Sequence, residues 1–371
     1  MLAEVNNPLA TRVERAEGGR RWGGGGSRSG GATTAATREV RQVAESVGEL
    51  LAGAERREPF TPLETRSGVA FEKVWIDRQP FVVKYVHLDD DFTMRASGDL
   101  ACRPLRAWAA GLFDVAPHAI DHAVVGAAGG VGRKGSGCAF LMRDVSPYLV
   151  PPGDDPFPED QHERFLDHLA AMCASRWGWR DDVGMMPYGA RWGFFGAAAI
   201  EGERQLGWPE PVPRIASGGW QRFGALAPKA VTAGVRELLH DVTPLSGALR
   251  STPSCFLHGD WKASNLGTGP DGRTVLIDWV YLGEGPACHE IGWYLALNRS
   301  KLPPGHTKER AIEDFRAALE RHGVPTYGWW DRQLHLALLG TLVQFGWEKA
   351  LGDEQELAWW CDAAAQGLEL L

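Results

Sequence analysis

The chain of 371 residues is longer than one hydrophobic core usually supports, so its length predicts two lobes or two domains. Hydrophobic residues make up 44% of the sequence and charged residues 23%, with no run of about eighteen apolar residues, which predicts a globular protein without a transmembrane helix. The formal net charge of −8 argues against nucleic acid as the main partner, because neutralising phosphates requires a basic surface.

The chain begins with a segment that cannot bury enough apolar surface to fold. Residues 1–36 are rich in glycine and arginine, so they are expected to form a disordered tail. Apolar residues at helical spacing then predict a helix over 37–55. The pattern changes to that of short strands, predicted over 60–65, 69–76 and 81–86. The third of these strands carries Lys84, a charge that on a two-faced strand can simply face solvent.

A second helix is predicted over 92–111, with Asp99 as its acidic residue. Two further strands, over 123–125 and 138–142, flank a glycine-rich hairpin, and a proline-rich stretch follows. From residue 161 onward, apolar stripes at helical spacing predict a mainly helical region.

The six cysteines are scattered and include no Cys-x-x-Cys pair. This spacing argues against a zinc site or a disulfide framework and fits a reduced, cytoplasmic setting.

One stretch combines strand-forming residues with an abrupt cluster of polar ones. An apolar run ends at Leu257, and His258, Asp260, Lys262 and Asn265 follow within eight positions. A turn dense in glycine comes next, and a second apolar run ends at Asp278. Because Asn265 precedes the turn and Asp278 lies on the returning strand, the sequence predicts that these two residues lie side by side.

These residue types suit phosphoryl transfer from a nucleotide. That reaction needs a carboxylate to accept the proton of an attacking hydroxyl, oxygen ligands for Mg²⁺ and a cation near the transferring group. Asp260 can supply the carboxylate, Lys262 the cation, and Asn265 with Asp278 the metal ligands. The alternative, an ordinary strand-end turn in which Asp278 caps a loop, leaves the joint spacing unexplained.

The segment His258-Gly259-Asp260 with Asn265, followed by Asp278-Trp279, resembles the aminoglycoside phosphotransferase and choline kinase family. The resemblance implies an α+β, two-lobed protein-kinase-like fold. The expected N-lobe, a small and mostly antiparallel β-structure, spans 37–143, and the expected C-lobe, large and mainly helical, spans 144–371. The resemblance also implies Mg²⁺ and ATP, or GTP, as cofactors.

The resemblance assigns nucleotide contacts in the N-lobe. Lys84 matches the third-strand lysine that holds the α- and β-phosphates. A carboxylate on the next helix usually holds this lysine, and Asp99 is the candidate, although it could equally cap a helix or face solvent.

Ser67 and Gly68 match the loop that covers the nucleotide, with one glycine instead of three. Arg143 and Val145 lie in the stretch that resembles the adenine-binding hinge between lobes. In the C-lobe, relatives often have an acid at the position of Glu290, where it supports the active site structurally.

The expected partner is a small-molecule hydroxyl acceptor such as an antibiotic, amino sugar or amino alcohol, and the protein is expected to be a monomer or homodimer. The sequence has 16 tryptophans, several of them within 174–225, which could wall an acceptor pocket or simply pack the core. Two other functions stay open at this point: a nucleotide-binding pseudoenzyme with a regulatory role, and a protein kinase. A long peptide-docking segment is missing after Asp278, which lowers the odds of a protein substrate.

Overall fold

A computed structural model describes residues 41–62 and 68–371. The tail predicted over 1–36 and the predicted nucleotide contact Ser67 therefore lie outside the described residues. Within the described ranges, no helix combines the length and hydropathy needed to cross a membrane.

The first part of the structure is a five-stranded antiparallel sheet with the strand order β1-β2-β3-β6-β5. Two small sheets follow, in which β4 pairs with β9 in parallel, β9 pairs with β8, and β10 pairs with β7. The strand bounds are β1 Ala54–Phe60, β2 Phe71–Ile76, β3 Gln79–Val86, β4 Ile120–Asp121, β5 Val124–Val131, β6 Gly137–Arg143, β7 Cys255–Leu257, β8 Leu266–Thr268, β9 Thr274–Leu276 and β10 Gly283–Gly285.

Strand β3 lies in the middle of the large sheet, and its residues from Phe81 to Lys84 are buried. Asp77 and Arg78, with φ angles of 50° and 64°, form the two-residue connection from β2. Two left-handed residues are what a tight hairpin turn requires. This geometry fixes the register that puts Lys84 opposite Phe71 of β2.

The first strand lies earlier than the sequence pattern predicted. It covers Ala54–Phe60, whereas the strand predicted over 60–65 lies partly outside the described residues. The helix predicted over 37–55 is reduced, in its described part, to α1 (Val47–Leu50). Strand β1 is an edge strand with exposed charges, and Arg57 forms a 2.7 Å ion pair with Glu72 on β2. Charged edge strands lack the apolar alternation by which strands are usually identified.

The helix predicted over 92–111 is two helices, α2 (Phe92–Ala96) and α3 (Arg103–Ala109). Gly98 and Cys102 adopt φ angles of 65° and 53° between them, and left-handed residues end a helix. Cys102 forms a disulfide bond with Cys138. The cysteine spacing argued against a disulfide framework and did not indicate this bond, because tertiary structure joins positions 36 residues apart.

The second part is mainly helical. Its longest helix, α11, is buried on nearly every side and forms the centre of the region. The helices are α4 Glu159–Ser175, α5 Ala197–Gln205, α6 Pro211–Leu226, α7 Lys229–His240, α8 Thr243–Arg250, α9 Ala287–Leu297, α10 Lys308–Arg321, α11 Trp330–Leu351 and α12 Glu354–Leu368. A small antiparallel sheet followed by a mainly helical region confirms the predicted α+β class.

Candidate active site

The polar stretch after β7 begins with His258 and Gly259, whose surroundings restrict their conformations. His258 is buried, and its Nδ1 accepts a 3.2 Å hydrogen bond from the backbone N–H of Asp260. Gly259 between them has a φ of 78°, and a Cβ there would lie 2.8 Å from both Arg191 and the Tyr281 carbonyl. Only glycine fits this position without displacing its neighbours, so the turn that positions Asp260 depends on it.

Asp260 is 1% exposed and accepts hydrogen bonds on both carboxylate oxygens. Its Oδ2 lies 2.9 Å from the Lys262 ammonium and 2.8 Å from Asn265 Nδ2. Its Oδ1 accepts a 3.0 Å hydrogen bond from Trp293 Nε1 on α9. These three donors hold the carboxylate in one orientation, as a group that must meet a substrate hydroxyl requires.

The β8–β9 hairpin brings Asn265 and Asp278 together, as the sequence predicted. The backbone N–H of Ile277 donates a 3.0 Å hydrogen bond to the carbonyl of Asn265. Asp278 follows with a φ of 65°, which non-glycine residues rarely adopt and which Asp tolerates better than most.

Lys84 reaches across from the sheet to this hairpin. It is 8% exposed, and its Nζ lies 2.6 Å from Asp278 Oδ1. Because Lys84 lies on β3 and Asp278 follows β9, this ion pair joins the large sheet to the β8–β9 hairpin. The alternative in which Lys84 simply faces solvent is therefore wrong.

Asp99, by contrast, is not the partner of Lys84. Its carboxylate accepts hydrogen bonds of 2.8 and 3.0 Å from the backbone N–H of Arg103 at the start of α3. The break between α2 and α3 turns this residue into a local cap, which was the alternative interpretation.

A second carboxylate near Lys84 was not predicted. Asp91 is 2% exposed, caps α2 through the backbone N–H of Thr93, and interacts electrostatically with Lys84 and Asp278. It stands in a run of three aspartates, so the sequence alone gave no reason to prefer it.

The pKa values of Asp260 and Asp278 move in opposite directions. Burial raises the pKa of the Asp260 carboxyl, and Lys262 only partly offsets the effect. Burial would also raise the pKa of Asp278, but the Lys84 and Lys262 ammonium groups lower it below its usual value. A pair of carboxylates with separated pKa values suits one proton acceptor and one permanent anion.

A narrow, largely apolar cleft lies beside Lys84 and Asp278. Residues from the sheet, α3 and the end of β9 line it: Lys84, Val86, Pro104, Phe113, His122, Val124, Phe140, Met142, Asp278, Trp279 and Val280.

The predicted hinge residues are not among the residues that line this cleft. Arg143 pairs its guanidinium with Asp121, and Val145 packs with Ala123 and Val275. The neighbouring residues that line the cleft are Phe140 and Met142 of β6. Gly68 lies against the carbonyl of Asp90.

Helix α9 packs against the polar loop from His258 to Asn265, which we call the catalytic loop after its predicted role. Glu290 Oε1 accepts a 2.9 Å hydrogen bond from the Gly259 backbone N–H. At the end of α9, Asn298 accepts a 2.6 Å hydrogen bond from the Ala263 N–H and donates to the Trp261 carbonyl. Sequence reasoning reached Glu290 only through the family resemblance. It missed Asn298 and Trp293, because contacts across 35 and 33 positions leave no local pattern.

Glu290 makes the stability of the protein depend on pH. Burial raises its pKa to about 7, so folding favours its protonated form. Its contribution to the free energy of unfolding is therefore greatest below about pH 4.3, the usual value for Glu, and is lost as pH rises to 7.

Glu290→Gln keeps the shape of the side chain and the acceptor for Gly259 but removes the titration. We expect the free energy of unfolding of the variant, relative to that of the wild type, to rise by up to roughly 3 kcal/mol from about pH 5 to about pH 8. Urea denaturation of both proteins at the two pH values measures this difference. Parallel pH dependences in the two proteins would show that Glu290 does not titrate in this range.

The tryptophans of the 174–225 segment mostly pack the core. Trp192 is fully buried, and Trp220 donates a hydrogen bond to the Phe195 carbonyl. The tryptophan that contacts Asp260 is Trp293, outside that segment. Packing, the simpler of the two interpretations, therefore describes Trp192 and Trp220.

Comparison with known proteins identifies one family. The model of the phosphotransferase enzyme family matches residues 142–331, which include the whole polar stretch and Asp278. No curated protein sequence matches the chain significantly.

Solved structures resemble the chain at low identity. A choline kinase from Streptococcus pneumoniae has a TM-score of 0.48 and 10% identity over 87% of this chain and 97% of its own. A microcompartment-associated aminopropanol kinase has a TM-score of 0.47 and 14% identity over 86% and 94%. An aminoglycoside phosphotransferase bound to ADP and hygromycin B has a TM-score of 0.44 and 15% identity over 87% and 97%. At these sequence identities and TM-scores, the similarity does not indicate which substrate this chain uses.

Proposed function

Because the chain belongs to the phosphotransferase enzyme family, we propose that it transfers the γ-phosphoryl group of ATP to a hydroxyl of a small molecule, with Mg²⁺ as the metal ion. One observation carries the proposal. Lys84, Asp260, Asn265 and Asp278 come from three separate elements and form one connected polar cluster. This cluster contains each group that phosphoryl transfer needs.

The donor set fits Mg²⁺. Both hydrogen bonds from Asn265 Nδ2 go to Asp260, which leaves the amide oxygen for another contact, and Lys84 occupies only Oδ1 of Asp278. One amide oxygen and one carboxylate are ligands that Mg²⁺ prefers when phosphates and water complete its shell. Mg²⁺ bound there would neutralise negative charge on the phosphates.

In the proposed reaction Asp260 accepts the proton of the acceptor hydroxyl. The hydroxyl oxygen then forms a bond to the γ-phosphorus, the bond to the bridging oxygen breaks, and ADP leaves with that electron pair. The raised pKa of Asp260 supports this role, because a carboxylate with a higher pKa accepts a proton more readily. Lys262, 2.9 Å from Asp260, would hold the carboxylate in place and balance charge on the transferring group.

We place the adenine in the apolar cleft beyond Lys84, with the acceptor on the other side of Asp260. Next to Asp260, Trp293 lies 5.5 Å from the ring of Tyr281, which stacks on Phe194. Aromatic rings here favour an acceptor with a ring-shaped or hydrophobic part. The net charge of −8 favours a neutral or cationic acceptor over a strongly anionic one.

Lys84→Met should raise the apparent KM for ATP. Hydrogen bonds to charged groups contribute about 1.5–3 kcal/mol, which corresponds to a roughly ten- to hundredfold increase. Lys73→Met is the matched control, because Lys73 on the neighbouring strand pairs with Asp144. Steady-state kinetics with varied ATP checks this, and equal KM values in the two variants would remove Lys84 from the nucleotide site.

A coupled ADP-release screen tests the proposed function. The acceptor panel should contain aminoglycosides, macrolides, amino sugars and amino alcohols, each tested with ATP and Mg²⁺. We expect acceptor-dependent ADP release for at least one class. If ATP with Mg²⁺ stabilises the protein thermally but no acceptor releases ADP, the pseudoenzyme interpretation is favoured. If ATP causes no stabilisation either, the proposal fails.

A further inference from the structure

A second cluster of side chains of the types that can bind a metal ion lies apart from the residues of the active site. It consists of His162 on α4, His306 in the turn before α10, and Asp314 on α10. One ligand atom from each residue lies within 4.8 Å of the others. We propose that these three residues bind one Zn²⁺ ion.

The strongest observation is that both imidazoles have a buried nitrogen without a partner. His162 is fully buried, and its Nε2 has no hydrogen bond within the described chain. Nδ1 of His306 is in the same state, and the side chain of His306 is 5% exposed. Leaving a buried polar atom unsatisfied destabilises a protein, so two such atoms side by side indicate a shared ligand.

The other nitrogen of each ring has the kind of hydrogen bond that orients a metal ligand. His306 Nε2 lies 3.2 Å from Glu159 Oε1, and a carboxylate can only accept, so the ring proton is on Nε2. This leaves the lone pair on Nδ1. His162 Nδ1 lies 2.7 Å from the Tyr294 hydroxyl. A zinc-bound histidine typically donates its other ring N–H to an oxygen such as that of a carboxylate, a backbone carbonyl or water, and His306 has a carboxylate at this nitrogen.

The donor set selects the class of ion. Two imidazole nitrogens with one carboxylate suit Zn²⁺, whereas Mg²⁺ prefers an all-oxygen shell. Zinc–ligand bonds of about 2.0–2.1 Å in a tetrahedron place ligand atoms roughly 3.4 Å apart. Small side-chain rotations would therefore close the cluster around the ion, with water as a fourth ligand.

One nearby charge opposes a cation. Arg310 Nε lies 3.6 Å from Asp314 Oδ2, and its guanidinium also approaches Glu159. The Arg310 side chain is 53% exposed, so it can move into solvent when an ion binds. The ion pair is then exchanged for a metal–carboxylate bond.

Zinc at this position would connect α4 to α10. Through Tyr294 it would also fix α9, the helix that carries Trp293 and Glu290 against the catalytic loop. The expected effect is on stability, since none of the three ligands contacts the residues proposed for phosphoryl transfer.

A zinc titration of the full chain tests the proposal. Protein stripped with a chelator is titrated with Zn²⁺ against a chromophoric chelator, in excess Mg²⁺. We expect one equivalent to bind and to raise the Tm. His306→Gln and Asp314→Asn should each lower the zinc affinity at least tenfold and remove the rise in Tm. His322→Gln is the matched control, because His322 follows the same helix but pairs with Asp167.

Several results would overturn the site. One is wild-type protein that binds no zinc. Another is zinc affinity that is unchanged in both His306→Gln and Asp314→Asn. A third is zinc binding that is lost in Asp278→Asn but kept in the cluster variants, which would place the ion in the active site. Because the side chain of Asp314 is 41% exposed, Asp314→Asn still decides the question if His306→Gln does not fold.

Discussion

Asp260→Asn is expected to lower kcat roughly a hundred- to ten-thousandfold, the usual contribution of a positioned acid–base group. The amide cannot take the proton of the acceptor hydroxyl. Because Asp260 faces the acceptor in the proposed arrangement, the affinity for Mg²⁺-ATP should change little. Acceptor-dependent ADP release measures the first quantity and calorimetric titration measures the second.

Asp271→Asn is the matched control. Asp271 lies in the turn of the β8–β9 hairpin, which follows Asp260 in the chain, and it pairs only with Arg273 among the described ion pairs. The Tm of both variants is compared with that of the wild type. This control is needed because three donors face Asp260 and an amide can accept from fewer of them, so the substitution could lower stability as well as kcat. Near-normal kcat in Asp260→Asn would show that another group accepts the proton.

Asp278→Asn is expected to weaken Mg²⁺-ATP binding at least tenfold, because it removes the proposed carboxylate ligand of the metal. Asn is a cleaner substitution than Ala here. Asp278 has a φ of 65°, and Asn adopts left-handed backbone more readily than Ala does.

The dependence on Mg²⁺ separates a metal ligand from a structural residue. Without Mg²⁺, removing the negative charge frees Lys84 from its 2.6 Å ion pair, so ATP alone should bind the variant at least as well as the wild type. Calorimetric titrations with and without Mg²⁺ give both values. Equal losses of affinity under the two conditions would contradict a role in metal binding.

The sequence was most informative where the pattern is local. Asn265 and Asp278 lie on either side of one hairpin, so their spacing alone placed them together. The strand that carries Lys84 followed from the same kind of pattern.

Predictions failed where tertiary structure decides. Asp99 lost its predicted role because Gly98 and Cys102 break the helix that would have carried it to Lys84. Trp293 and Asn298 contact the catalytic loop from a helix about thirty residues away, and nothing in their local sequence marks them. The cluster of His162, His306 and Asp314 is similar, since its ligands come from distant segments and form no spaced motif.

The most direct measurement follows the γ-phosphate itself. ATP labelled in the γ-phosphate is incubated with the protein, Mg²⁺ and the acceptor that gives the strongest ADP release, and the label is then traced in the protein and in the small-molecule fraction. We expect the label on a hydroxyl of the acceptor in the wild type, and its loss in Asp260→Asn while ATP still binds. Label found only on protein side chains, or only in inorganic phosphate released by hydrolysis, would contradict a small-molecule phosphotransferase.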